Sequence, residues 1–180
     1  MSAADRFPIK IAFERVAVDN PWQDCIWQAV AAMSVSDDGT DDNHARTVHE
    51  TDHRQRYLSG VVHIELFRKE TEGYRNNLSQ PVPQIYVVLH PVDDDDVEDD
   101  APDMMVFHAT VCPYEAESYT ESGDETVDGV PMPNEIIARV QAFVDTHHVD
   151  IPFKKRKRNK KQPGSEKGWG GPAMQGQKLQ

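Results

Sequence analysis

The stretch from residue 61 to residue 90, VVHIELFRKETEGYRNNLSQPVPQIYVVLH, constrains the fold of this chain more than any other. It begins within an alternating segment, Tyr57 to Arg68, whose apolar and polar residues predict a strand. The polar segment that follows predicts a short helix near residues 70–79, because prolines come directly after it. Ile85 to Leu89 is apolar without alternation, which is typical of a central strand covered on both faces. The stretch therefore predicts two strands that flank a short helix.

Two further strands are predicted before this stretch. Phe7 to Val18 alternates apolar and polar residues, and a change of phase at Glu14-Arg15 indicates a β-bulge. Trp22 to Val35 also alternates, and the turn signal Asp19-Asn20-Pro21 favours an antiparallel hairpin between the two segments. The Ala-rich segment WQAVAAM is compatible with a helix as well, so both alternatives remain open.

The second half of the chain adds one clear strand and two helices. Met104 to Val111 predicts a strand, and Pro113 suits the first position of a short helix that extends through Tyr119. Asn134 to His148 has the strongest helical pattern, because its apolar residues recur with a period of about 3.6 residues. We therefore predict one α+β domain with a mainly antiparallel sheet of about five strands, a short helix near 70–79 and a packed C-terminal helix at 134–148.

Charge is distributed unevenly along the chain. Residues 1–150 carry 10 Lys+Arg against 30 Asp+Glu, a net of −20, and residues 151–180 carry 9 against 1, a net of +8, which together give −12. Runs of like charge and few apolar residues predict acidic loops at 36–54 and 93–103. The expected organisation is a flexible N-terminus at 1–6, a domain at 7–150, and a disordered, basic, Gly- and Pro-containing tail at 151–180.

The tail is basic enough to bind an anionic partner. Seven of the eight residues from Lys154 to Lys161 are Lys or Arg. We favour an acidic protein surface, either of a partner or of the chain's own acidic domain. A nucleic acid bound by counterion release and an anionic membrane surface remain alternatives. Nucleic acid is the less expected partner of the domain, because its acidity would repel a polyanion.

The common phosphate-binding and nucleophile motifs do not occur in this sequence. GxGxxG, GxxxxGK and GxSxG are missing. HExxH occurs once, as HETDH at residues 49–53, but it lies in the predicted 36–54 loop and not on a helix, so no catalytic residue and no cofactor is predicted. Cys25 and Cys112 lie in apolar segments, and we expect both to be buried, reduced thiols. The three histidines of the 36–54 loop are expected to be solvated, and no metal site is predicted.

A cluster of polar residues surrounds the predicted short helix. It contains charged and amide side chains: Glu65, Arg68, Glu70, Glu72, Arg75, Asn76 and Asn77. A pair of catalytic carboxylates and a set of ordinary ion pairs on a helix surface are both compatible with this spacing. Because Arg and Tyr are enriched in protein interfaces, the surface of this helix is also a candidate contact site.

Several segments together resemble a known family. They are FRKETEGYRNNL and PQIYVVL, with NPWQDCIWQAVAAM before them and PYEAESYTESGDETVDGVPMP and FVDTHHVDIPFKKRKR after them. This combination resembles a proteobacterial family of unknown function that is encoded beside genes for molybdenum-dependent formate dehydrogenase. Its members are often labelled molybdopterin-guanine dinucleotide biosynthesis protein A. The resemblance spans residues 7–158 and implies a role in assembly or maturation, or as an accessory subunit.

We therefore expect a non-enzymatic accessory protein of the formate dehydrogenase system, with a protein as its partner. A cytoplasmic location is expected, because the N-terminus lacks the apolar core of a secretory signal and no segment suits a membrane span. The alternatives are an enzyme of molybdenum cofactor (guanine dinucleotide) biosynthesis and a nucleic-acid or membrane-surface binder that acts through the tail. The predicted contact residues belong to the hairpin, the short helix and the tail: Trp22, Trp27, Arg68, Glu72, Tyr74, Arg75, Asn76, Asn77, Lys154, Lys155, Arg156, Lys157 and Arg158.

Overall fold

The larger of two sheets is built around its longest strand, β1 (Asp5–Ala17). The computed structural model describes residues 3–36, 44–92, 101–121, 123 and 125–149. After β1 the elements are β2 (Cys25–Ser34), β3 (Arg46–Thr51), β4 (Arg54–Leu58), β5 (Val62–Leu66), a 3₁₀ turn (Arg68–Glu70), α1 (Thr71–Leu78), β6 (Gln84–Pro91), β7 (Met104–Thr110), α2 (Pro113–Thr120), β8 (Thr126–Pro131) and α3 (Asn134–His147). The strand pairings between described residues are antiparallel. The predicted α+β class is confirmed.

One edge of β1 pairs with β2, which confirms the predicted hairpin and makes the WQAVAAM segment a strand. The bulge lies elsewhere than predicted. The register shifts between Ala12 and Phe13, where β2 contributes one extra residue, Val30. The sequence could not place it, because an Ala-rich strand has little contrast between its two faces.

The other edge of β1 pairs with two strands in succession. Its first part pairs with β5 and its last part with β4. Ser59 bridges the interval: its N–H donates to the carbonyl of Ile11 (2.8 Å), and the Ile11 N–H donates to Ser59 Oγ (2.9 Å). The single strand predicted from Tyr57 to Arg68 is therefore two strands, since the Ser59-Gly60 step interrupts the ladder.

Strand residues occur in the segment predicted as a flexible N-terminus and in the segment predicted as the first acidic loop. β1 starts at Asp5, which pairs with Leu66, so the last part of the predicted flexible N-terminus is ordered. The predicted acidic loop at 36–54 contains all of β3 and the start of β4, which form a hairpin. Every residue of β3 is exposed, and a strand that buries neither face lacks the apolar alternation that a sequence pattern needs. The basic tail and residues 93–100 lie outside the described residues.

The smaller sheet has three strands in the order β7-β6-β8. β6 is central, and Ile85, Val87, Val88 and Leu89 are each 0% exposed. This confirms the prediction of a strand that is covered on both faces. The predicted sheet of about five strands is thus accompanied by a second sheet of three strands, which the sequence did not predict.

A single core joins the inner face of the larger sheet, the smaller sheet and α3. β1 contributes alternate residues, Phe7 to Phe13, and α3 contributes Ile136, Val140, Phe143 and Val144, as its period predicts. Each such side chain stabilises the fold by about 1.5–3 kcal/mol through burial. No described helix has the length and apolarity needed to cross a bilayer.

Glu14 is a buried carboxylate on the outer face of the larger sheet, with 1% of its surface exposed. Gln28 Nε2 donates to its Oε1 (2.8 Å), and Arg56 donates to Oε2 through Nε (3.1 Å) and Nη2 (2.9 Å). Arg54 forms a third contact at 3.5 Å. Burial alone would raise the pKa of Glu14, but these hydrogen bonds and the two guanidinium charges outweigh it and lower the pKa.

We predict that Glu14→Gln destabilises the protein by about 1–3 kcal/mol, because it removes charge-assisted hydrogen bonds from a buried group. The lowered pKa means that the contribution of Glu14 is present at neutral pH and is lost as the pH falls through that pKa. Urea unfolding at neutral and at acidic pH measures both effects, and the variant should lose less stability on acidification than the wild type.

The matched control is Glu65→Gln. The Glu65 side chain is 43% exposed, and its Oε1 lies 3.6 Å from Arg6 Nε. A solvated pair of this kind should change stability by less than about 0.5 kcal/mol. Equal effects of the two substitutions would contradict the role assigned to Glu14.

Candidate interaction surface

α1 packs against α2 and α3 and holds Tyr74 at its buried side. Tyr74 is 0% exposed and meets the ring of Phe143 edge to face at 6.2 Å. Its hydroxyl accepts from the Phe67 N–H (2.9 Å) and donates to Glu70 Oε2 (3.1 Å). Burial raises the pKa of Tyr74 well above its usual value. Tyr74, one of the predicted contact residues, therefore does not lie on the exposed surface of α1, because its side chain anchors the helix to the core.

Asn77 is buried as well, with 1% of its surface exposed. Its Nδ2 donates to the carbonyls of Gln84 (2.7 Å) and Val111 (2.8 Å), and its Oδ1 accepts from the Gln84 N–H (2.9 Å). These bonds join the end of α1 to the start of β6 and to the segment after β7. The prediction of Asn77 as a contact residue is wrong, because its amide is used within the fold.

Four predicted contact residues remain exposed around α1: Arg68, Glu72, Arg75 and Asn76. The structure adds two neighbours that the sequence did not indicate. Asn76 Nδ2 donates to the hydroxyl of Tyr114 on α2 (3.2 Å), and Arg75 Nη1 lies 3.0 Å from Nε2 of His148. We call the six residues together the α1 face. The feature of the sequence that marks Tyr114 is its position as an aromatic residue in the first turn of a polar helix.

The chemistry of its partners assigns the tautomer of His148. A guanidinium can only donate, so Nε2 accepts from Arg75 and the proton sits on Nδ1. Nδ1 lies 3.1 Å from Thr71 Oγ1, and the Thr71 hydroxyl donates to the carbonyl of Arg68 (3.3 Å). This chain of contacts joins the end of α3 to the first turn of α1 and restricts the position of Arg75.

A cleft of about 360 Å³ adjoins the α1 face between the first turns of α1 and α2. Cys112 and Gly73 line it together with Lys69, Glu70 and Glu115. Burial raises the pKa of the Cys112 thiol, so at neutral pH the sulfur is protonated and is a poor nucleophile. The predicted burial is confirmed for Cys112, whereas Cys25 is only half-buried.

Glu115 forms one wall of this cleft and lies near the histidine of β7. Oε1 of Glu115 is 3.3 Å from Nε2 of His108, although the two atoms are not aligned as a hydrogen bond. The contact with His108 lowers the pKa of Glu115 in spite of its partial burial. The cleft therefore carries a negative charge on this wall at neutral pH.

The other predicted contact residues do not belong to the α1 face. Trp22 is 92% exposed in the turn between β1 and β2. Trp27 lies on β2 and packs against Phe13 and Tyr57, with ring centroids 6.0 and 5.7 Å apart. The basic residues 154–158 lie outside the described residues. Trp22 therefore remains an exposed candidate of its own, and Trp27 contributes to an aromatic cluster.

We predict that Gly73→Ala destabilises the protein by about 1–3 kcal/mol, as overpacking does. A Cβ atom at this position would lie 2.7 Å from Cys112 Sγ and 3.2 Å from Tyr114 Cδ2. Helix propensity alone predicts the opposite, a stabilisation of about 1 kcal/mol. Thermal and urea unfolding of the variant therefore distinguishes the destabilisation expected from overpacking from the stabilisation expected from helix propensity.

A double-mutant cycle with Cys112→Ala supplies the control. Removing the sulfur makes room for the new methyl group, so the double variant should be more stable than the sum of the single effects by at least about 0.5 kcal/mol. Additive effects, or a Gly73→Ala variant more stable than the wild type, would show that α1 and α2 are not closely packed here.

Comparisons with known proteins place the chain in a family. The searches of curated proteins and of solved structures each returned no significant match. A family model described as a protein of unknown function (DUF3305) matches residues 8–157. Since this match spans most of the 180 residues, the chain belongs to the DUF3305 family.

Proposed function

We propose that the protein is a non-enzymatic accessory factor of molybdenum-dependent formate dehydrogenase, active in its assembly or maturation, and that it binds a protein partner through the α1 face. The sequence resemblance supports the connection with formate dehydrogenase. The single observation that carries the binding mode is the arrangement of the α1 face. Exposed Arg and Asn side chains of α1, a helix with buried polar anchors, lie beside the exposed Tyr114 of α2.

The anchors give this surface its rigidity. Tyr74 and Asn77 are buried and hydrogen-bonded on the inner side of α1, so the helix cannot rotate without breaking these bonds. A surface that is already ordered loses less conformational entropy on binding. Preorganisation of this kind is useful to a factor that must recognise one surface of a larger enzyme.

The exposed side chains have the composition of an interface. Tyr114 is 56% exposed and supplies a large, stiff aromatic ring, while Arg75 supplies a planar donor group. Tyr and Arg are the residue types that most often dominate binding energy when a partner covers them. Both are held by hydrogen bonds to neighbours, Asn76 and His148, before any partner arrives.

We predict that the variant Arg75→Glu/Tyr114→Ala recovers at least about tenfold less formate dehydrogenase subunit than the wild type. The substitutions remove the aromatic anchor and reverse one charge of the α1 face. The measurement is affinity purification of the tagged, full-length protein from its native host, followed by quantitative mass spectrometry of the recovered subunits.

Arg46→Glu is the matched control, because it reverses an exposed arginine on β3, outside the α1 face. It should leave recovery unchanged, and melting temperatures should show that both variants are folded. Equal recovery by the wild type and the double variant, or no formate dehydrogenase subunit with any form, would refute the proposal. Calorimetry with GTP and Mg²⁺ tests the alternative of an enzyme of molybdenum cofactor biosynthesis. A measurable heat of binding would favour that alternative.

A further inference from the structure

Arg15 occupies the inner face of the larger sheet, next to the aromatic end of the core. Strand alternation places it on the same side as Phe13. The register of β1 sets it opposite Trp27 on one neighbouring strand and opposite Gln55 on the other. Gln55 in turn is opposite Glu50 on β3. A row of four side chains, one from each strand, therefore crosses the sheet in the order Trp27, Arg15, Gln55, Glu50.

The guanidinium of Arg15 lacks a counter-ion in the part of the chain that the structure describes. Its Nε atom is buried and has no hydrogen-bond partner there. Arg54 and Arg56, on the adjacent strand, both engage the carboxylate of Glu14. A partly buried cation without such a partner is costly to maintain. An anionic group from outside the chain would remove this cost.

Arg15 lines two adjoining clefts of about 480 and 340 Å³. The larger has a volume typical of small-molecule sites. Trp27 and Tyr57 supply the aromatic part of its lining, which also includes Pro102 and Asp103. The cleft thus combines flat apolar surface with a cation that has no ion pair among the described residues.

Glu50 and Asp103 place negative charge in the same cleft. The Tyr57 hydroxyl donates to Gln55 Oε1 (3.2 Å), and Gln55 Nε2 donates to Glu50 Oε1 (2.7 Å), which fixes the orientation of the Gln55 amide. Burial raises the pKa of Tyr57, so its hydroxyl remains a neutral donor. The two carboxylates would repel a polyanion, but they provide acceptors for a positively charged group.

We propose that this cleft binds a small zwitterion of the α-amino acid class with an aromatic or large apolar side chain. The ligand carboxylate pairs with the Arg15 guanidinium, which presents the planar donor geometry that carboxylates match. The ammonium group lies toward Glu50 and Asp103, and the side chain packs on Trp27 and Tyr57. This site is separate from the α1 face and does not depend on the proposed partner.

Isothermal calorimetry on the full-length protein tests the site with three related probes. L-phenylalanine carries both charges, L-phenylalaninamide lacks the carboxylate, and N-acetyl-L-phenylalanine lacks the ammonium group. We expect L-phenylalanine to bind, and each of the other two to bind at least about tenfold more weakly. The Arg15→Met variant keeps an unbranched apolar side chain and should lose L-phenylalanine binding by a similar factor.

The melting temperature of ligand-free Arg15→Met separates a binding role from a structural one. Because the substitution removes a cation without a partner, its melting temperature should equal or exceed that of the wild type. Arg46→Met is the control, and it should leave binding unchanged. No binding of any probe up to about 10 mM, equal binding by the wild type and Arg15→Met, or a lower melting temperature for Arg15→Met would each overturn the proposal.

Discussion

The structure depends on β1 being paired along both of its edges. This strand of 13 residues bonds to β2 on one side and to β5 and then β4 on the other, and Ser59 supplies a side-chain acceptor where the second ladder is interrupted. Because a backbone N–H that is buried without a partner is costly, the hydroxyl of Ser59 allows one long strand to serve two short partners. The inner face of the larger sheet, the hairpin of β3 and β4, and the position of Arg15 all follow from this arrangement.

The strands and helices that bury apolar residues could be predicted from the sequence. Residues Ile85 to Leu89 of β6 are an uninterrupted apolar segment, and α3 repeats apolar residues with the helical period. The burial of these residues in the core determines both patterns. β3 could not be predicted in this way. It is an exposed edge strand, and its place is set by pairing with β4, which contacts β1 at residues distant in the chain. The alternation of apolar residues in a sequence cannot predict β3, because β3 buries none of its side chains.

The candidate surface shows a different limit of sequence patterns. Arg75, Asn76 and Asn77 are consecutive polar residues on one short helix, and the sequence suggested one role for all of them. The structure turns Asn77 inward, where Gln84 and Val111 use its donors and acceptor. A buried amide of this kind is indistinguishable from an exposed one until its distant partners are known, since polar residues in cores are selected for the bonds they satisfy. His148 and Tyr114 belong to the α1 face through contacts with Arg75 and Asn76. These contacts also join distant parts of the chain, so the sequence pattern could not predict them.

Glu14 and Arg15 are neighbours in the sequence with opposite electrostatic situations. Strand alternation sends Glu14 to the outer face, where two arginines and a glutamine satisfy its buried charge. It sends Arg15 to the inner face, where the described residues provide no ion pair for it. The outer face demonstrates that this sheet can surround a charge with partners across three strands. A cation that remains without one beside an aromatic wall is therefore better explained by a ligand than by a need of the fold, because unsatisfied groups that destabilise a protein persist mainly where function requires them.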